Sequence, residues 1–126
     1  MNKQEIKTEN APEAIGPYSQ GIAAGNMVFV SGQIPIDPKT GQLEDEITRA
    51  TTIVFGNMEA VLKAANLTLS DVVKTTVFLN DLSDFPQMNK VYQEFFTHPY
   101  PARSTVEAAR LPRNAIIEAE CIAYKK

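Results

Sequence analysis

Between positions 46 and 65, apolar residues recur every three or four places, and this pattern constrains the fold more than any other feature. Ile47, Ala50, Val54, Met58, Val61, Leu62 and Ala65 fall on one face of a helix. Glu59 and Lys63 lie on another face, four apart with the acid first, the favourable polarity for an ion pair. Gly56 either weakens this helix, by about 1 kcal/mol relative to alanine, or admits a close neighbour. On either side the periodicity changes. Met27-Val-Phe-Val-Ser-Gly32 is rich in strand formers, and Val72-Val-Lys-Thr-Thr-Val-Phe-Leu79 is dense in β-branched residues.

A second helix is predicted over roughly 85–96. Phe85, Met88, Tyr92 and Phe95 form its stripe, with Asn89 beside it. Asp84 is the expected N-cap, and Pro86 sits in the first turn, where its missing N–H costs little. His98-Pro-Tyr-Pro101 then redirects the chain. Two more strands, 103–108 and 116–124, flank a turn at Leu111-Pro-Arg-Asn114. Asp37-Pro-Lys-Thr-Gly41 reads as another turn, and residues 1–10 as a frayed or edge segment. The order strands, helix, strand, helix, strands implies one α+β domain over residues 1–126, a mixed sheet with both helices on one face. No helix remains to cover the other face, so self-association is expected.

Composition removes several function classes. The net charge of −3 and pI of about 5.1 argue against a nucleic-acid footprint. No apolar run reaches the roughly 20 residues of a membrane helix, and the start shows no signal-peptide core, so a soluble cytoplasmic protein is expected. The single cysteine, Cys121, cannot form an internal disulfide. With one histidine, His98, and no Cys/His cluster, no metal site is expected. No glycine-rich phosphate loop appears.

The candidates for chemistry are charged residues inside the last two strands. Arg103, Thr105 and Glu107 share one face of theirs, and Glu118 and Glu120 one face of the other. Charge among Val, Ile and Ala persists only if paired, hydrogen-bonded or used on a ligand. Arg103 therefore either grips a ligand carboxylate with its planar fork or closes a salt bridge with Glu107 or another acid. Glu118 either moves a proton or belongs to a polar edge stripe. Tyr18, Ser31 and Asn89 either donate hydrogen bonds to a small ligand or perform ordinary turn and cap chemistry. Cys121 reads as a buried small hydrophobe, His98 as a solvated loop residue, and Phe78, Phe85, Phe95 and Phe96 as core.

Ala14-Ile-Gly-Pro-Tyr-Ser-Gln-Gly21, Val30-Ser-Gly-Gln-Ile-Pro35, Val73-Lys-Thr-Thr-Val-Phe78, Pro101-Ala-Arg-Ser-Thr-Val-Glu-Ala-Ala-Arg-Leu-Pro112 and Ile117-Glu-Ala-Glu120 occur in this order. Together they resemble the reactive intermediate deaminase (RidA/YjgF) family over essentially the whole chain. The resemblance implies a chorismate-mutase-like α+β fold. It also implies a homotrimer, with three sheets around a central barrel and three clefts between subunits. The implied activity is hydrolysis of 2-iminobutanoate and 2-iminopropanoate, formed by pyridoxal-phosphate enzymes, to the 2-keto acid and ammonia, with no cofactor or metal. In this sequence the carboxylate-binding arginine falls on Arg103 and the water-activating glutamate on Glu118. The remaining cleft residues fall on Tyr18, Ser31, Gly32 and Asn89. Thr105 departs from the pattern, because many members have cysteine there. A thiol nucleophile is thus excluded at that position, leaving a backbone N–H and a hydroxyl. Three other roles compete: a non-catalytic module binding 2-keto acids, a ribonuclease or translation inhibitor, and a chaperone-like surface.

Overall fold

The computed structural model describes residues 2–126. In chain order the elements are β1 (Lys3–Ile6), β2 (Gly21–Ala24), β3 (Met27–Gln33), α1 (Ile47–Ala64), β4 (Val72–Leu79), α2 (Phe85–Phe95), β5 (Ala102–Glu107) and β6 (Ile117–Tyr124). All six strands join one sheet in the order β1-β2-β3-β6-β4-β5. Only β4 and β5 pair in parallel, which follows from α2 crossing between them. The mixed sheet expected from the element order is therefore present.

Alternation along β6 separates the two faces. Ile117, Ala119, Cys121 and Ala123 are buried, while Glu118 is half-buried and Glu120 exposed. The buried set faces the helices. Val77 and Leu79 of β4 and Val28 and Val30 of β3 join it from neighbouring strands. Against them α1 packs Ala50, Val54, Phe55, Met58, Val61 and Leu62, the predicted face widened by Phe55. The Phe55 ring lies between Tyr92 at 5.4 Å and Phe96 at 5.6 Å, so one aromatic cluster ties both helices together. The opposite face stays open in the single chain. Phe29, Val106 and Tyr124 are exposed there.

Several local expectations need correction. Glu59 and Lys63 form no ion pair; among the described residues the ion pairs are those of Arg49 with Glu44 and Glu46. Helix α1 starts instead on Glu46, whose carboxylate accepts from the N–H groups of Thr48 at 2.9 Å and Arg49 at 3.0 Å. Asp84 makes no side-chain cap, because a short turn over Leu82–Asp84 precedes α2 and Asp81 caps that turn. Phe78 lies on the open face opposite Glu118 and not in the core. At Gly56 a side chain would meet open space, so the glycine is not there to admit a close neighbour. Strand β2 went unread, since Gly-Ile-Ala-Ala carries little strand signal and is held by pairing on both sides.

Candidate functional site

Arg103 lies on edge strand β5 with its side chain turned toward α2. Its Nη1 donates to Asn89 Oδ1 at 2.7 Å. The guanidinium carbon lies 4.6 Å from the centre of the Tyr92 ring and 5.3 Å from that of Phe85. Helical spacing explains this group: Phe85, Asn89 and Tyr92 follow at i, i+4 and i+7 and share one face of α2. No carboxylate among the described residues lies within ion-pair distance of Arg103. Glu107 is not its partner, because its Oε1 accepts from the Leu82 N–H at 2.9 Å. A half-buried cation held only by neutral groups keeps its charge available to an anion.

Thr105 follows two residues later on the same face. Its Oγ1 is buried and has no hydrogen-bond partner. Native structures leave few such groups, and each normally has a reason.

Glu118 belongs to a second cluster. Strand β3 carries a bulge between Val30 and Gln33, which brings the Gly32 backbone against the Glu118 carboxylate. A side chain at Gly32 would take the place of the Glu118 carboxylate, so glycine lets that carboxylate lie there and any larger residue pushes it aside. Ser31, in the same bulge, donates its hydroxyl to Ser19 O, and its N–H reaches Gln20 O at 2.9 Å. Burial, and secondly the negative charge of Glu120, hold the Glu118 carboxyl above the usual carboxylate range. Tyr18 is exposed on the adjoining loop, beside an 830 Å³ groove also lined by Gly16, Gln20 and Pro38.

The predicted residues thus fall into two groups. Arg103, Asn89 and Thr105 gather on the helix side; Glu118, Gly32 and Ser31 gather on the open side. Arg103 pairs with Thr75 on β4, and Glu118 pairs with Phe78 three residues further along. Strand spacing and rise put their Cα atoms about 14 Å apart, on opposite faces of the sheet. A 290 Å³ cavity between the helix ends, lined by Glu59, Ser70, Phe95 and His98, holds neither group. Sequence reasoning missed Tyr92 and Phe85 as site residues by assigning their stripe to the core. The visible signal was Asn89, a polar residue flanking that stripe. Cys121 is buried and its thiol is pushed up to about 12, mainly by burial, which makes it inert as a nucleophile. No cluster of three or more His, Cys, Asp or Glu among the described residues is arranged to hold a metal ion, and no helix is long and apolar enough to cross a membrane.

Comparison with known proteins agrees with this architecture. Residues 8–125 match the family described as Endoribonuclease L-PSP. A RutC family protein of Pyrococcus horikoshii is 54% identical over 125 residues, covering 98% of this chain and 99% of the relative. The 2-iminobutanoate/2-iminopropanoate deaminase of Salmonella typhimurium is 50% identical over 124 residues, covering 96% and 97%. Among solved structures, Escherichia coli TdcF with bound serine superposes with a TM-score of 0.93 at 44% identity, covering 98% of this chain and 99% of that one. With a family model matched over residues 8–125, near-complete coverage at about half identity and a TM-score of 0.93 to a solved relative, the chain belongs to the reactive intermediate deaminase (RidA/YjgF) family.

Proposed function

We propose that this protein is a cytoplasmic homotrimeric deaminase that hydrolyses 2-iminobutanoate and 2-iminopropanoate to the 2-keto acid and ammonia. One observation carries the reading: a half-buried guanidinium at Arg103 with neutral partners and no internal acid. A small carboxylate is the ligand such a fork fits. The deaminase relative and the serine bound to the TdcF neighbour point to the same chemical class, a short chain bearing a carboxylate and a nitrogen at C2.

Arg103 grips the substrate carboxylate and fixes C2. A water then attacks the protonated imine carbon while Glu118 takes its proton. The new C–O bond forms as the C=N π pair moves to nitrogen, giving a carbinolamine. Glu118 returns that proton to nitrogen, the C–N bond breaks, and ammonia leaves as the carbinolamine O–H gives its proton to the Glu118 carboxylate and the carbonyl forms; that last proton leaves with ammonia as ammonium. The raised proton affinity of Glu118 suits a group that must both accept and release a proton. Such imines hydrolyse unaided, so positioning plus a relay of about 10²–10⁴-fold suffices. Arg103 and Glu118 of one chain face opposite ways, so the reading pairs Arg103 of one copy with Glu118 of a neighbour. Tyr18, Ser31, Gly32 and Asn89 line that cleft, and Thr105 offers its backbone N–H and its unpaired hydroxyl to the carboxylate.

The deciding assay generates 2-iminobutanoate with a dehydratase and follows its disappearance. Arg103→Ala is expected to reduce the enzyme-dependent rate to that of buffer while remaining a folded oligomer. Full activity in that variant removes the mechanism. RNA cleavage surviving at full rate in the same variant, with no imine turnover in the parent protein, would favour a nuclease instead.

A further inference from the structure

A half-buried guanidinium can be held by an acid, by carbonyl dipoles or by aromatic faces. An acid would cancel its charge and compete with any incoming anion. Here the holding groups are two rings and one amide oxygen, all neutral. Each attracts the cation without neutralising it. The Tyr92 ring is itself fixed from several directions. It stacks on Phe96 at 4.5 Å and meets Phe55 edge-on at 5.4 Å. At its tip the hydroxyl lies 2.8 Å from Thr75 Oγ1, in a fully buried hydrogen bond.

Thr75 is also the β4 residue directly opposite Arg103 in the β4–β5 ladder. One rung of the sheet therefore anchors both the arginine's backbone and the ring beneath its side chain. Burial raises the Tyr92 proton affinity, so the ring stays a neutral phenol and offers no phenolate to the cation. With Nη1 engaged by Asn89, the guanidinium's other donors remain for a bidentate partner in its own plane.

We infer that Tyr92, anchored by Thr75, is a positioning residue for the proposed deamination, holding the Arg103 fork against its ring face while leaving the charge free for the substrate carboxylate. This rests on the reading of Arg103 given above, and the test separates the two.

The test measures KM and kcat for 2-iminobutanoate, and the dissociation constant of 2-ketobutyrate, for the oligomeric protein. The variants are Tyr92→Leu, Tyr92→Phe, Thr75→Val and Phe85→Leu, with Arg103→Ala as reference. Removing a ring, in Tyr92→Leu or Phe85→Leu, should raise KM and the 2-ketobutyrate dissociation constant together by about 5- to 30-fold, with kcat within about 2-fold. Tyr92→Phe keeps the ring face and should recover most of that loss. Tyr92→Phe and Thr75→Val should each weaken binding about 2- to 4-fold, and the double variant no more than either alone, because they delete one shared bond.

If Tyr92→Leu does not fold, Phe85→Leu and the Phe/Val pair decide the matter. Two results overturn the inference: folded variants that bind 2-ketobutyrate as the parent does, or losses confined to kcat that track a lower melting temperature. If only Arg103→Ala loses binding, the carboxylate anchor stands and Tyr92 has no part in it. If Arg103→Ala itself binds normally, the anchor is wrong and the role of Tyr92 falls with it.

Discussion

Glu118 is a carboxyl held half out of water, two positions from another carboxylate on the same face. Both circumstances disfavour its ionised form, with desolvation the larger. If that form takes the water's proton, kcat/KM is full above the raised pKa and falls as pH drops through it. Glu120→Gln removes the like charge, lowers the Glu118 pKa and should move this acid limb to lower pH; a limb that stays in place or moves up contradicts the assignment. Stability follows the same sign. The folded pKa exceeds the unfolded one, so the folded state binds more protons, and stability falls as pH rises from the ordinary carboxylate value through the raised one. Above that window Glu118→Gln removes the penalty. At neutral pH it should therefore unfold at a denaturant concentration no lower than the parent while losing most turnover. Cys121 belongs at this scale too. A buried thiol pushed to about 12 should resist alkylation in the folded protein and react once unfolded, as mass spectrometry would show.

The elements owe their placement of these groups to pairing, and pairing is what sequence conveys least. Helix α1 was legible because its apolar residues repeat at helical spacing, and β4 because β-branched residues crowd it. Alternation also assigned the faces of β5 and β6 strand by strand. It could not relate one strand's face to the next, because that depends on the β5–β4–β6 register, which is set by long-range contacts. The separation of Arg103 from Glu118 was hidden for that reason. The bulge in β3 was hidden likewise. Ser31 and Gly32 read as the end of a strand, whereas the chain irregularity there seats the Glu118 carboxylate on Gly32. Gly32→Ala tests that seat. Its methyl needs the carboxylate's place, so Glu118 must swing away, and turnover should fall by up to about 100-fold for a displacement near 1 Å. A Gly32→Ala protein with parental kcat would show that the carboxylate's position is immaterial. Phe55→Ala probes the scaffold instead: deleting the fully buried ring between the helices should destabilise by about 3–5 kcal/mol in a denaturant titration.

At the scale of the whole molecule, the decisive fact is that one chain cannot bring its cation and its acid to the same small substrate. A 2-imino acid spans a few ångströms, whereas the two groups lie on opposite faces of the sheet with their Cα atoms about 14 Å apart. The open face carries the apolar surface that invites another copy, with Phe29, Val106 and Tyr124 exposed around Glu118 and Glu120. If each site joins Arg103 of one subunit to Glu118 of the next, two dead variants should revive each other. Arg103→Ala and Glu118→Gln chains, unfolded together in equal amounts and refolded, would form mixed trimers if the protein assembles as proposed. In these, about one site in four draws an intact arginine from one chain and an intact glutamate from its neighbour. Recovered imine turnover should approach that fraction of the parent's. A complementary mixture sharpens the result. Parent chains co-refolded with an equal amount of the double variant should keep about a quarter of full activity if sites are shared, and about half if each chain works alone. A first mixture that stays dead, with the second at one half, would return both groups to a single subunit and refute the proposed cleft.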